Sequence, residues 1–155
     1  MAETNWRRID IDAFDPESGR LTRKDIEPPY SSQITSQEVS SKISQLRSLA
    51  SSGDSKAAVA LAVSDPPYSG DEATKNEYFK AVLETLSTVR QADIAGIVGD
   101  LTPVQQDALV KYLYKGMSVP EGQRQGGILL AWFERVTQVA GVRPVSHFIN
   151  DRNTV

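Results

Sequence analysis

The chain has 155 residues, of which 39% are hydrophobic and 24% are charged, values typical of a soluble globular protein. Its net charge of −3 provides no basic field, which argues against nucleic acid and acidic membrane surfaces as partners. The absence of cysteine excludes disulfides, thiolate metal sites and a cysteine nucleophile, and it suits the cytosol.

The first element is an apolar segment over residues 6–16 that we predict to be extended. Ile9 and Ile11 alternate with two aspartates, which is the period of a strand, but no second strand-like run lies nearby. Burying its four large apolar side chains would contribute about 6–12 kcal/mol, whereas ordering about ten residues costs about 10–20 kcal/mol. We therefore expect the segment to become ordered on the surface of a partner. The predicted contact residues are Trp6, Ile9, Ile11 and Phe14.

A linker over residues 17–35 is predicted to follow. It contains Pro28 and Pro29, and the polar stretch after them has no periodic apolar face. From Asp15 to Ser36 is about 21 residues. A coil of that length spans on the order of 25 Å on average and about 70 Å when stretched. We divide the chain into an extended N-terminal arm with its linker, residues 1–35, and a helical domain, residues 36–155.

Helical periodicity begins at Ser36, which we predict to be the first N-cap, and Gly53 is predicted to end that helix. Asp54 then caps a small apolar helix that stops before two prolines. A third helix is predicted from about Asp71 to Val89, and a short fourth helix follows. The apolar face of the fourth helix consists of Ile94, Ile97, Val98 and Leu101.

The fifth helix has the clearest start signal, because Thr102, Pro103 and Gln105 form a capping box with proline at the first position. Its predicted face includes Val104, and Gly116 is predicted to end it. A loop over residues 120–127 separates it from the most apolar helix. The face of that sixth helix consists of Ile128, Leu129, Trp132, Phe133, Val136 and Val139.

Gly141 is predicted to close the sixth helix, and Pro144 to open a short seventh. Seven helices with short connections predict an all-α fold, either an antiparallel bundle or an α-α superhelix, preceded by the extended arm. No internal repeat of common solenoid length is present. No apolar run approaches the roughly 20 residues that span a bilayer, and the first residues do not resemble a secretory signal.

Catalytic and metal-binding motifs are not expected from this sequence. An EF-hand loop starting at Asp10 fails, because Phe14 occupies a ligand position and Asp15 replaces the required glycine. His147 is the only histidine, and we predict that its side chain bonds Asp151, four residues on, within a helix. The glycine pairs at 96/99 and 126/127 lack the strand–turn–helix context of phosphate loops. We expect no catalytic residue, no metal and no cofactor.

Two helices carry candidate partner-binding residues in addition to the arm. We expect Trp132 to pack in the core. The apolar stripe of its helix, over residues 128–139, is wider than one core-facing side needs, so part of it could contact a partner protein. The fifth helix carries aromatic and basic side chains, a composition common at protein interfaces, although a solvated face is nearly as well supported. The candidates there are Tyr112, Tyr114 and Lys115, with Lys111 beside them.

Several stretches of the chain together resemble one family, the 16 kDa subunits of the actin-related protein 2/3 complex. The resemblance covers nearly the whole chain, and its Tyr-x-Tyr-Lys-Gly and Leu-Leu-x-Trp blocks are fairly specific in combination. The matching stretches are residues 8–15, 65–67, 109–117, 128–134 and 154–155. The linker, the loop at 120–127 and residues 141–150 depart from the family pattern.

The resemblance implies a non-catalytic helical subunit of the assembly that nucleates branched actin filaments. It implies docking on the 20 kDa and WD-repeat subunits, with the N-terminal arm reaching the actin-related protein 2 subunit. Actin filaments would be contacted through the assembled complex, in the cytoplasm and the cortical actin cytoskeleton. A free-standing helical adaptor that binds linear motifs of other cytosolic proteins is the alternative; an enzyme is disfavoured by the single histidine and the missing cysteines.

Overall fold

Each regular element in the computed structural model is a helix, within the described part of the chain, residues 34–155. The predicted all-α fold is therefore confirmed for those residues. The eight helices are α1 (Ser36–Ser52), α2 (Ser55–Val63), α3 (Glu72–Thr88), α4 (Ile94–Asp100), α5 (Pro103–Ser118), α6 (Pro120–Gln123), α7 (Gly126–Ala140) and α8 (Arg143–Asn150). The one helix that we did not predict is α6, a single turn inside the predicted loop over residues 120–127. The predicted extended arm lies outside the described residues.

Side-chain caps define several helix starts, as the sequence indicates. Asp54 and Asp71 cap α2 and α3 by accepting from main-chain N–H groups three residues on, and Thr102 forms the predicted capping box with Gln105. Gly53 ends α1 in the left-handed conformation at φ 82°. The predicted cap at Ser36 is wrong by one residue, because the N-cap of α1 is Thr35.

Thr35 caps α1 because it can form a reciprocal pair with Glu38. Its hydroxyl accepts from the main-chain N–H of Glu38 at 3.4 Å, and the Glu38 carboxylate accepts from the main-chain N–H of Thr35 at 2.9 Å. This arrangement satisfies two donors at the helix start, whereas a cap at Ser36 would satisfy one. Ile34 and Thr35 therefore belong with the helical domain, although we assigned them to the linker.

Glycines near residue 120 allow the chain to turn tightly, and they do not end α5. Gly116 is buried in the last turns of α5, which continues to Ser118, so the predicted stop at Gly116 is wrong. A Cβ atom on Gly116 would lie 2.9 Å from Leu129 Cδ1, and one on Gly122 would lie 2.1 Å from the main-chain oxygen of Gly116. Glycine at these two positions thus allows α7 and the α6 turn to pack closely against the end of α5. Gly126 and Gly127 likewise begin α7 instead of lying in a loop.

One hydrophobic core joins the two halves of the chain. α1, α2 and α3 pack on one another, α5 packs against α7 and α8, and α2 and α3 contact α5. The largest fully buried side chains are those of Trp132, Tyr78 and Tyr112. Val104, which we predicted for the apolar face of α5, is 77% exposed and therefore does not belong to the buried face. On α7, Leu129, Trp132 and Val136 are buried.

The close approach at Gly122 leads to a stability prediction. Gly122→Ala should lower the free energy of unfolding by at least about 2 kcal/mol, because the new methyl group meets main-chain atoms that cannot rotate away. Gly96→Ala is the matched control: its Cβ meets open space inside helix α4, and we expect a gain of about 0.5–1 kcal/mol. Urea unfolding followed by circular dichroism measures both variants. Equal stabilities for the two variants would contradict the packing role of Gly122.

Candidate interaction surface

A groove of about 440 Å³ lies where the end of the described chain returns to α5. Most of its lining comes from α5, α8 and the extended residues that follow α8. We call it the C-terminal groove and define it by Lys111, Tyr114, Lys115, Phe148, Asp151 and Val155. Two of the predicted partner-binding residues, Tyr114 and Lys115, lie in it.

A polar network on α5 holds α8 beside this groove. The Asp107 carboxylate accepts a hydrogen bond from Arg143 at 2.7 Å through one oxygen, and its other oxygen lies 2.7 Å from His147 Nδ1. The side-chain bond that we predicted between His147 and Asp151 is therefore wrong. The reason is that α8 runs beside α5, which brings a carboxylate of the neighbouring helix closer than one on the same helix.

Stacked aromatic rings form one wall of the C-terminal groove. The rings of Tyr114 and Phe148 lie parallel within 7°, with centroids 4.3 Å apart, and Phe133 of α7 packs edge-on against Tyr114 at 5.5 Å. Each of these side chains is only partly buried. An aromatic cluster that keeps some exposed area is typical of protein–protein contact surfaces.

Three lysines fix residues 151–155 against the body. Lys111 donates to Asp151 at 2.5 Å and lies 4.3 Å from the centroid of the Tyr68 ring. Lys115 donates to the main-chain oxygen of Val155 at 2.7 Å, and burial lowers the pKa of this lysine. Lys75 reaches the Thr154 hydroxyl at 3.4 Å. The side chain of Val155 joins the hydrophobic core, so the segment is an integral part of the groove.

The remaining candidates of the helical domain lie in the core. Tyr112 and Trp132 are 1% and 0% exposed, so in this conformation they have no surface to offer a partner. The Trp132 indole donates to the main-chain oxygen of Leu86 at 3.1 Å. Burial raises the pKa of the Tyr112 phenol well above its usual range, and within residues 34–155 its hydroxyl has no hydrogen-bond partner. Trp6, Ile9, Ile11 and Phe14 lie outside the described residues.

The contact between Lys111 and Asp151 predicts a pH dependence of stability. Partial burial raises the pKa of Asp151, but hydrogen bonds from Lys111 and the main chain outweigh it, and the net pKa lies below its usual range. Because the pKa of Asp151 is lower in the folded than in the unfolded chain, its carboxylate stabilises the fold above about pH 3.9, its unfolded pKa. This contribution to the free energy of unfolding is lost as the pH falls through the folded pKa.

Asp151→Asn should therefore destabilise the chain near neutral pH by about 1–2 kcal/mol, because buried Lys111 loses its carboxylate. The difference from the unsubstituted chain should close as the pH falls through the depressed pKa of Asp151 in the folded state. Asp100→Asn is the control, since its pair with Lys56 is more than half exposed on both sides and should be worth less than about 1 kcal/mol. A pH-independent difference for Asp151→Asn would refute the assignment.

Sequence reasoning missed two surface features. Leu130 and Ile149 are 59% and 74% exposed; Leu130 precedes Phe133 by three residues, and Ile149 directly follows Phe148. A second groove, of about 320 Å³, lies beside Ile34. Leu130 lies on the side of α7 opposite its apolar face, so its exposure could have been predicted from the sequence. The second groove could not, because it depends on contacts between segments that are distant in sequence.

Comparison with known proteins settles the family. A sequence model described as the ARP2/3 complex 16 kDa subunit (p16-Arc) matches residues 5–155. The chain belongs to this family. It is 63% identical over 153 residues to the actin-related protein 2/3 complex subunit 5 of Saccharomyces cerevisiae, and the match covers 99% of both chains. Weaker similarity extends to the human subunit 5-like protein, at 27% over 153 residues with 98% and 95% coverage. The Dictyostelium discoideum subunit 5 is 28% identical over 140 residues, with 90% and 94% coverage.

Three of the five blocks that carry the resemblance to the 16 kDa family, residues 109–117, 128–134 and 154–155, contribute to the C-terminal groove or its aromatic wall. Residues 109–117 form most of α5 and supply Tyr114 and Lys115 to the groove. Residues 128–134 form the first half of α7 and supply Phe133 to the aromatic wall. Residues 154–155 close the groove. No helix within residues 34–155 has the length and apolar character needed to cross a membrane.

Proposed function

We propose that the chain is a non-catalytic structural subunit of the actin-related protein 2/3 complex and supports nucleation of branched actin filaments. The observation that carries the proposal is the 63% identity to the yeast subunit 5, which covers 99% of both chains. The helical domain would dock on the scaffold, and the N-terminal arm would tether a second, mobile subunit. Its place in the cell would be the cytoplasm and the cortical actin cytoskeleton.

The helical domain is suited to docking because it has a rigid core and a partly exposed aromatic surface. The proposed docking partners are the 20 kDa and WD-repeat subunits, and the proposed contacts include Tyr114 and Lys115 in the C-terminal groove. Tyr112 and Trp132 would contribute by supporting α5 and α7 from inside, since both are buried. Aromatic side chains with polar tips are frequent among the residues that dominate binding energy.

The arm would hold the actin-related protein 2 subunit through Trp6, Ile9, Ile11 and Phe14. A flexible linker converts the second contact into an intramolecular one at an effective concentration of about millimolar, so a weak contact is sufficient. Such a tether can keep its partner bound while the partner changes position. Contact with actin filaments would then occur through the assembled complex.

Size-exclusion chromatography of a native extract, with the proteins in each fraction identified, tests the assignment. We expect the chain to elute far above its own mass of 17.0 kDa, together with other subunits in equal amounts. A particle of about the chain's own mass would contradict the proposal and favour the free-standing adaptor that binds linear motifs.

A further inference from the structure

The second groove adjoins the point where the described chain begins. It lies between α1 and the segment that joins α2 to α3, and it has a volume of about 320 Å³. We call it the exit groove and define it by Ile34, Val39, Lys42, Asp65, Pro67 and Tyr78. The described chain therefore begins at the edge of this groove, with Ile34 in its lining.

The walls of the exit groove are fixed by hydrogen bonds. The Lys42 ammonium donates to the main-chain oxygens of Ser64 and Asp65, at 2.9 Å each. The Tyr78 hydroxyl donates to the main-chain oxygen of Ala62 at 3.0 Å. The main-chain N–H of Ile34 donates to the Ser69 hydroxyl at 3.1 Å, which holds the chain at the exit. The groove is thus formed before any occupant arrives.

The chemistry of the groove suits an apolar segment with few main-chain donors. Val39, Pro67 and Tyr78 form its buried floor, and the partly exposed Ile34 is the apolar side chain that an occupant would meet at the edge. Glu38, Lys42 and Asp65 add charged groups to the rim. Two main-chain oxygens at its edge already accept from Lys42, so each has one lone pair left for a further donor. A polyproline-type segment fits this description, because prolines carry no N–H and are extended before they bind.

We infer that the exit groove binds the chain's own residues 28–30, Pro28, Pro29 and Tyr30. The argument rests on the length of chain involved: Tyr30 precedes Ile34 by four residues, which reach at most about 14 Å when stretched. The segment is therefore always close to the groove, at an effective concentration of about millimolar or higher. Two successive prolines reduce the conformational entropy lost on docking.

This docking would set the reach of the tether, and in that respect it rests on the proposed function. With residues 28–30 bound, the free linker would shrink to about eleven residues, 17–27. Such a coil spans on the order of 17 Å on average, against about 25 Å for the full linker. A shorter free linker raises the effective concentration of the arm for a nearby partner and removes distant partners from its range.

Paired spin labels on the full chain test the inference. The chain has no cysteine, so Ile26→Cys and Ser48→Cys introduce two unique labels, one before the docked residues and one on the exposed side of α1. We expect a narrow distribution of distances between them. Pro28→Gly, Pro29→Gly and Tyr30→Ser together should broaden the distribution at least about twofold, towards that of an eight-residue coil.

A matched control carries Ser18→Gly and Leu21→Gly, outside the docked residues, and should keep the narrow distribution. An unsubstituted chain whose distribution is as broad as that of the triple variant would overturn the inference. This outcome is separable from failure of the proposed function, because the label distances are measured on the chain alone and do not depend on nucleation activity.

Discussion

Deleting residues 1–16 is expected to leave the helical domain docked in the complex while weakening retention of the actin-related protein 2 subunit by about tenfold or more. The reason is that the intramolecular contact, at an effective concentration of about millimolar, becomes unavailable. Branching nucleation should slow accordingly. The core of the described residues begins at Val39, so the deletion removes none of its side chains. Pull-down at submicromolar complex and a pyrene-actin assay measure the two effects.

Point variants separate the apolar contacts of the arm from its charge. Ile9→Ser, Ile11→Ser and Phe14→Ser together should reproduce the deletion, because the apolar side chains supply the contact energy. Asp10→Asn and Asp12→Asn together are the matched control and should retain most of the activity. If the complex kept its actin-related protein 2 subunit fully and nucleated at an unchanged rate after deletion of residues 1–16, the arm would not be a tether.

Trp132→Ala should lower the free energy of unfolding of the chain by about 3–5 kcal/mol. The substitution leaves a large cavity at a fully buried site, and the main-chain oxygen of Leu86 loses its indole donor. Because a chain of this size is stable by roughly 5–15 kcal/mol, the loss is expected to reduce the amount of folded subunit and its incorporation into the complex. Urea unfolding followed by far-ultraviolet circular dichroism measures the change.

Trp6→Ala is the control within the same chain, since Trp6 and Trp132 are its two tryptophans. It should leave the unfolding curve of the isolated chain unchanged and weaken only the arm contact. If Trp6→Ala destabilised the isolated chain as much as Trp132→Ala, the separation of arm and body would be wrong.

The predictable part of the fold is the part that local chemistry determines. The capping box at Thr102 and the left-handed turn at Gly53 satisfy main-chain groups within a few residues, so sequence spacing is sufficient to find them. The same is true of the apolar period of α7, which predicts burial of Trp132. The aromatic and basic residues of α5 also indicated Tyr114 and Lys115, which lie in the C-terminal groove.

The features that sequence reasoning missed depend on contacts between distant segments. Gly116 looks like a helix terminator until Leu129 and Gly122 are packed against it. Asp107 replaces Asp151 as the partner of His147 only because α8 lies beside α5. Thr35 was overlooked for a different reason: its box with Glu38 is local, but it begins one residue inside the segment assigned to the linker.

The central claim is that the arm gains its structure on a partner, whereas the helical domain has its own core. The most direct test compares the two indole N–H signals of the isolated chain by nuclear magnetic resonance. Trp132 should be protected from hydrogen exchange, and Trp6 should exchange freely and become protected only in the assembled complex. Protection of Trp6 in the isolated chain, at a level similar to that of Trp132, would contradict the account.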